Sequence, residues 1–213
     1  MRNYGKEKLY PHTKTLSSTQ VLDYAKDPRD FYAKWVAGLD GMRVSPALAV
    51  GQAFAEYFAD HSFDFVAHLV KYKAPRRMVE LIRRAVELLP KANDPEYEMV
   101  AKHSKWSFRA TLDDFYPKHH IIVEHKTSRL LWTQEVVDGH DQFTFQEWVF
   151  WKKYKSLPKQ HIVNWVDTGY DPEQLITTFE TKRTEAQLKK FEEGLINKVI
   201  AGIEAGNFSQ PIF

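Results

Sequence analysis

Residues 110–128 read ATLDDFYPKHHIIVEHKTS, and both the fold and the chemistry turn on this stretch. An acidic pair, Asp113 and Asp114, ends one apparent strand. A turn follows, and a second strand, Ile121-Ile122-Val123, runs straight into Glu124-His125-Lys126. Side chains alternate along a strand, so Glu124 and Lys126 emerge on one face and His125 on the other. An apolar strand that ends by presenting a carboxylate beside an ammonium suits a hydrolytic site. Carboxylates hold a hard divalent cation, and a lysine orients or activates water near a phosphate. The plainer alternative is a strand end with a surface ion pair. Asp113 weighs against it, because strand–turn–strand geometry can bring its carboxylate close to Glu124. Two such carboxylates repel unless a cation sits between them. All-oxygen ligands favour magnesium or manganese over zinc. Strand parity decides whether Asp113 or Asp114 faces the cluster, and the sequence leaves that open.

Working outward, the N-terminal side is helical. Residues 1–16 read as an irregular arm. Ser17 with Gln20 forms a capping box that opens a helix over 18–26. Asp27-Pro28 starts another that ends near Gly38, and Ser45-Pro46 repeats the device ahead of a helix reaching His61. Apolar-periodic stretches over 63–72 and 75–89 add two more helices. After Pro95 the period changes. Residues 97–105 and 107–115 form a hairpin, 120–126 a third strand, 140–154 a helix, and 161–167 and 175–181 two further strands. Thr184 with Gln187 caps a last helix ending near Gly206. This order predicts an α/β fold, a mixed central sheet flanked by helices. No repeat or linker divides it, so residues 17–213 read as a single domain.

The helix over 140–154 contains HDQFTFQEWVFW. Gln142 and Gln146 lie one turn apart and share a face. A glutamine on the buried side needs partners for its amide, which a catalytic lysine or a phosphate would supply; solvent exposure is the alternative. Strict alternation turns His125 away from the acids, as a core or surface histidine. Its backbone carbonyl, between Glu124 and Lys126, remains able to coordinate metal. His119 and His120 sit in the turn. Arg76-Arg77, Arg83-Arg84 and Lys152-Lys153-Lys155 are solvated helix faces unless they border the site.

Composition sets the outer bounds. Hydrophobic residues at 43% and aromatics at 14% indicate a folded globular protein, and 213 residues suffice for one domain with a sizeable core. The chain has no cysteine, which excludes disulfides, thiolate zinc sites and an all-cysteine iron–sulfur cluster. No run is long and apolar enough for a membrane span and no signal-peptide pattern opens the chain, so a cytoplasmic protein, or a nuclear one in a eukaryote, is expected. The formal charge of +2, from 30 basic and 28 acidic residues, gives nucleic-acid binding no support by itself.

Taken together, these residues resemble the PD-(D/E)XK nuclease superfamily, in its RecB-type and phage-exonuclease branch. Asp113 takes the place of the first acid, and Glu124-His125-Lys126, continued by Thr127-Ser128, that of the ExK triplet. Leu16 to Tyr24 followed by Asp27-Pro28-Arg29-Asp30-Phe31-Tyr32 is similar to the branch's opening. Ala47 to Glu56 resembles its A-L-x-x-G-x-x-x-H-E helix, with Ala55 where the histidine usually stands. The glutamine helix resembles its Q-x-x-x-Y motif without the tyrosine, and Gly206-Asn207-Phe208 its closing G-x-F.

The resemblance implies a restriction-endonuclease-like core and a metal-dependent deoxyribonuclease, foremost an exonuclease in recombination, repair or phage DNA processing. Asp113 and Glu124 would hold magnesium or manganese, with the His125 carbonyl and Glu56 completing the shell. Lys126 would position or deprotonate water, and Gln142 or Gln146 would orient Lys126 or a scissile-strand phosphate. DNA is the expected partner, alongside a recombination or replication protein. The competing readings are a structure-specific or single-strand endonuclease, an RNA-directed nuclease, and a non-catalytic nucleic-acid-binding module with a decayed site.

Overall fold

A computed structural model describes residues 14–39, 44–169 and 175–209. The N-terminal helices form where their caps stand. In α1 (Ser18–Lys26) the Ser17 hydroxyl accepts the Gln20 N–H while the Gln20 side chain accepts the Ser17 N–H. Asp27 caps α2 (Pro28–Phe31), which runs on as a π-helical turn over Tyr32–Val36 and stops before Gly38, a residue with φ of 64°. Ser45 caps α3 (Pro46–Ala59), and α4 (Phe65–Lys71) and α5 (Arg77–Leu88) follow. Of the arm expected over 1–16, residues 1–13 lie outside the described residues. Thr15–Ser17, however, is a strand, β1, paired in parallel with a later strand. Three residues are too few to show an alternating pattern, so nothing local announces it.

The strand half is the expected mixed β-structure, divided between two sheets. β2 (Tyr97–His103) and β3 (Trp106–Leu112) form the expected hairpin. The second arm of that hairpin breaks at Asp113 and resumes as β4 (Asp114–Tyr116), which pairs with β5 (Ile121–Ser128). Two mixed sheets result, ordered β1-β3-β2 and β4-β5-β6-β7, with β6 at Gln160–Asp167 and β7 at Ile176–Thr181. β5 and β6 run parallel, while β6 and β7 are antiparallel. Because β4 pairs only with Ile121–Val123, the edge of β5 beyond Val123 is left to side chains.

Helices cover both faces. A short helix, α6 (Gln134–Asp138), leads into α7 (Asp141–Tyr154). The C-terminal helical run is α8 (Glu185–Phe191), a π-helical turn (Glu192–Ile196) and α9 (Asn197–Glu204). Phe145, Trp148, Val149 and Phe150 of α7 share one core with Phe108, Phe115 and Ile122, and with residues of α1 and α9. A second core joins α3, α4 and α5 to Val166. α3 approaches β5 closely: a Cβ at Gly51 would sit 3.2 Å from the Thr127 Oγ1. Among the described residues no helix is long and apolar enough to cross a membrane.

This layering sends His125 into the second core, as alternation predicts. Its ring lies edge-on to Phe58 and Phe54, and its Nδ1 is 3.3 Å from the Asn164 amide nitrogen, the arrangement of a neutral imidazole accepting a hydrogen bond. Burial pushes its pKa from 6.5 down to about 4. The unfolded chain protonates this group near 6.5 and the folded chain only near 4. Stability is therefore full above that window and declines as pH falls through it, by about 3 kcal/mol in all. His125→Phe, which keeps an aromatic ring between Phe54 and Phe58, is expected to flatten the pH dependence of urea unfolding across that range. An unchanged slope would locate the acid sensitivity elsewhere.

Candidate functional site

The four-stranded sheet and α7 meet over Glu124. The residue is 2% exposed and its side chain faces α7, because residues 122, 124 and 126 share that side of β5. The carboxylate is held from three directions. Oε1 accepts from Lys126 Nζ at 2.7 Å and from Gln142 Nε2 at 2.8 Å. Oε2 accepts from Gln146 Nε2 at 2.7 Å, and the same amide also reaches the Thr111 carbonyl at 3.3 Å. Both glutamines thus converge on Glu124, one on each oxygen, rather than on Lys126. Their i, i+4 spacing on α7 makes this two-point grip possible.

The break at Asp113 settles the parity left open by the sequence. Asp114 turns inward, 2% exposed, and its Oδ1 accepts the backbone N–H groups of Asn93, Asp94 and Phe115 at 2.8–2.9 Å. It organises the turn that enters β2. Asp113 points the other way, and its Oδ2 accepts the backbone N–H of His125 at 2.7 Å. The N–H and C=O of one residue in an extended strand point to the same edge. The His125 carbonyl therefore faces the edge where Asp113 sits. Asp113, Glu124 and the His125 carbonyl form one oxygen-rich corner, with Lys126 beside it.

Glu56 is placed differently. It is half-buried on α3, which packs on the His125 face of β5, and its charge is felt at His68 on α4. Among the described residues no three His, Cys, Asp or Glu side chains are grouped closely enough to hold a metal by themselves. The donors that do gather fit a hard cation, since all are oxygens. Glu124 has room as well: a carboxylate offers about four lone-pair sites, and its three hydrogen bonds leave one.

Sequence reasoning missed His140. The ring stacks on Phe143 at 4.5 Å and on Trp132 at 5.3 Å, and Lys126 Nζ stands 5.8 Å from the Phe143 centroid. Burial, and then the charge of Lys126, push the His140 imidazole down to about 4. Its position before α7 was the one signal: a histidine without a side-chain cap bond where Ser, Thr or Asp is preferred.

No protein-family model matches the chain, and no curated protein matches its sequence. Solved structures do match. A protein from Eubacterium rectale, provisionally designated an exonuclease, superposes with a TM-score of 0.62 at 12% identity, covering 91% of this chain and 82% of the other. The chain shares the fold of that protein. Weaker likenesses are to a phage-related exonuclease from Haemophilus somnus 129PT and an alkaline exonuclease from Laribacter hongkongensis. The first has a TM-score of 0.44 at 13% identity, covering 89% of this chain and 78% of the other. The second has a TM-score of 0.43 at 14% identity, covering 73% and 88%.

Proposed function

We propose that this protein is a divalent-cation-dependent deoxyribonuclease that hydrolyses phosphodiester bonds, acting as an exonuclease. The observation that carries the reading is the buried Glu124 carboxylate with Lys126 at 2.7 Å, next to an Asp113 carboxylate anchored on the main chain between them. Two carboxylates and one ammonium leave this corner net negative, which favours a bound cation. The fold shared with the Eubacterium rectale protein supports the same reading.

Asp113, Glu124 and the His125 carbonyl would hold magnesium or manganese, with Glu56 of α3 as a further carboxylate. The cation would supply charge stabilisation at the phosphate and a lowered pKa for water. Gln142 and Gln146 keep Glu124 from rotating, so its orientation is set before substrate arrives. The Lys126 ammonium, once released toward the phosphate, positions the attacking water and offsets charge on the transition state. The setting proposed is DNA recombination, repair or phage DNA processing in the cytoplasm, with a recombination or replication protein as partner.

End-labelled linear and closed circular DNA, single- and double-stranded, incubated with magnesium, manganese or EDTA, provides the test. Metal-dependent loss of linear DNA alone is expected. Cutting of circles would make the protein an endonuclease. Binding without cleavage in either metal would make it a non-catalytic module.

A further inference from the structure

Beyond β5 the chain exposes two adjacent leucines. Leu130 and Leu131 are 78% and 73% exposed and follow an exposed Arg129. Isolated exposed leucines are ordinary, but a contiguous apolar surface beside a polar cluster marks a contact site. Both ends of this tip are fixed. Leu130 N–H donates to the Ser128 hydroxyl, and the Ser128 carbonyl accepts the Thr168 N–H, each at 2.9 Å. On the far side, Thr133 caps α6 and Trp132 stacks on His140, their planes within 28°. His140 stacks in turn on Phe143, beside Lys126. A ladder of rings therefore runs from Lys126 to Trp132, the next residue in the chain after the leucines. Along the chain, Leu130 is within about 14 Å of Lys126 even when fully extended, a reach of a few nucleotides.

We propose that Leu130, Leu131 and Trp132 form a ledge on which the unpaired bases of the strand entering the site are laid, making single-stranded ends the preferred substrate. Flat apolar and aromatic surface beside cationic side chains is the composition of sites that bind single strands regardless of sequence. The exposed Arg129 supplies a cation next to the leucines. A protein partner's apolar surface would call for no such charge. The inference rests on the nuclease reading for its orientation toward Lys126.

The test compares wild type with the Leu130→Ser/Leu131→Ser double variant on three substrates: an oligothymidylate, a blunt duplex and bis(p-nitrophenyl) phosphate. Both side chains are exposed, so the variant is expected to fold. KM for the oligothymidylate should rise at least about fivefold, with kcat and the rate on the small diester unchanged. Separately, oligothymidylate added in EDTA should quench a part of the tryptophan fluorescence that Trp132→Phe lacks. Equal KM values, or a change in oligomeric state of the double variant, would overturn the ledge; the second result would assign the leucines to a contact between copies. Wild type that hydrolyses none of the substrates would refute the nuclease reading, while the fluorescence titration of both proteins would still decide the ledge.

Discussion

Lys126→Ala is expected to lower the rate of metal-dependent DNA cleavage by about 10^3-fold, measured under single-turnover conditions with saturating manganese. Two roles are lost together: a donor that places water, and a positive charge beside the phosphate. The fold should survive, because Glu124 keeps both amide donors and the Lys126 side chain is already 22% exposed. Circular dichroism melting of the variant separates loss of chemistry from loss of structure. Manganese affinity read by electron paramagnetic resonance adds a third readout. Removing an ammonium 2.7 Å from Glu124 Oε1 removes a competing cation, so metal should bind at least as tightly in the variant. Undiminished cleavage by Lys126→Ala would remove this corner from the chemistry altogether.

The same geometry explains why the lysine and the glutamines are not interchangeable. Gln142 and Gln146 come from α7, whose other faces are packed in the core, so they cannot follow a moving substrate. Lys126 sits at a strand end on a flexible four-carbon stem, paired to one carboxylate oxygen that Gln142 also holds. Were Lys126 to swing away, the two glutamine amides would still hold the carboxylate. Rigidity is built into the carboxylate and mobility into the lysine.

Much of this was readable from the chain because it is set by local rules. The capping boxes at Ser17 and Thr184, the proline-led starts at Pro28 and Pro46, and the alternation that separates Glu124 from His125 each depend on residues within one turn or one strand. What escaped depends on packing between distant segments. The target of the two glutamines is decided by where α7 crosses β5, which spacing alone does not encode. Whether Asp113 or Asp114 faces the corner is decided by a strand break between two sheets, and the sequence pattern across 107–115 runs on as though unbroken. β1 is too short to carry a period, and its partner lies in residues 106–112. The π-helical turns at Tyr32–Val36 and Glu192–Ile196 have no distinct residue pattern in their windows. Glu56 was placed by analogy with a helix motif, and the sequence pattern does not show that α3 packs on the His125 face of β5.

The largest stability effect is expected on the side of α7 away from Glu124. Trp148 is fully buried, edge-on to Phe108 at 5.0 Å, near Phe145 at 5.9 Å and against His103 at 5.7 Å, and its indole N–H donates to Glu192 at 2.8 Å. Trp148→Ala opens a cavity between the three-stranded sheet and the helices over it, and should cost about 3–5 kcal/mol. For a chain of this length that is about 6–20 °C in melting temperature. Glu192 is not stranded by the change, because Lys152 still pairs with the same oxygen, so the loss is one of packing more than of charge. Trp151, three residues on, is only partly buried and serves as the control: Trp151→Ala should cost much less. Gln142 and Gln146 lie on the α7 stripe facing Glu124, so at temperatures where Trp148→Ala remains folded its cleavage rate should stay near that of wild type. A variant that keeps its melting temperature but loses cleavage would instead tie Trp148 to the site.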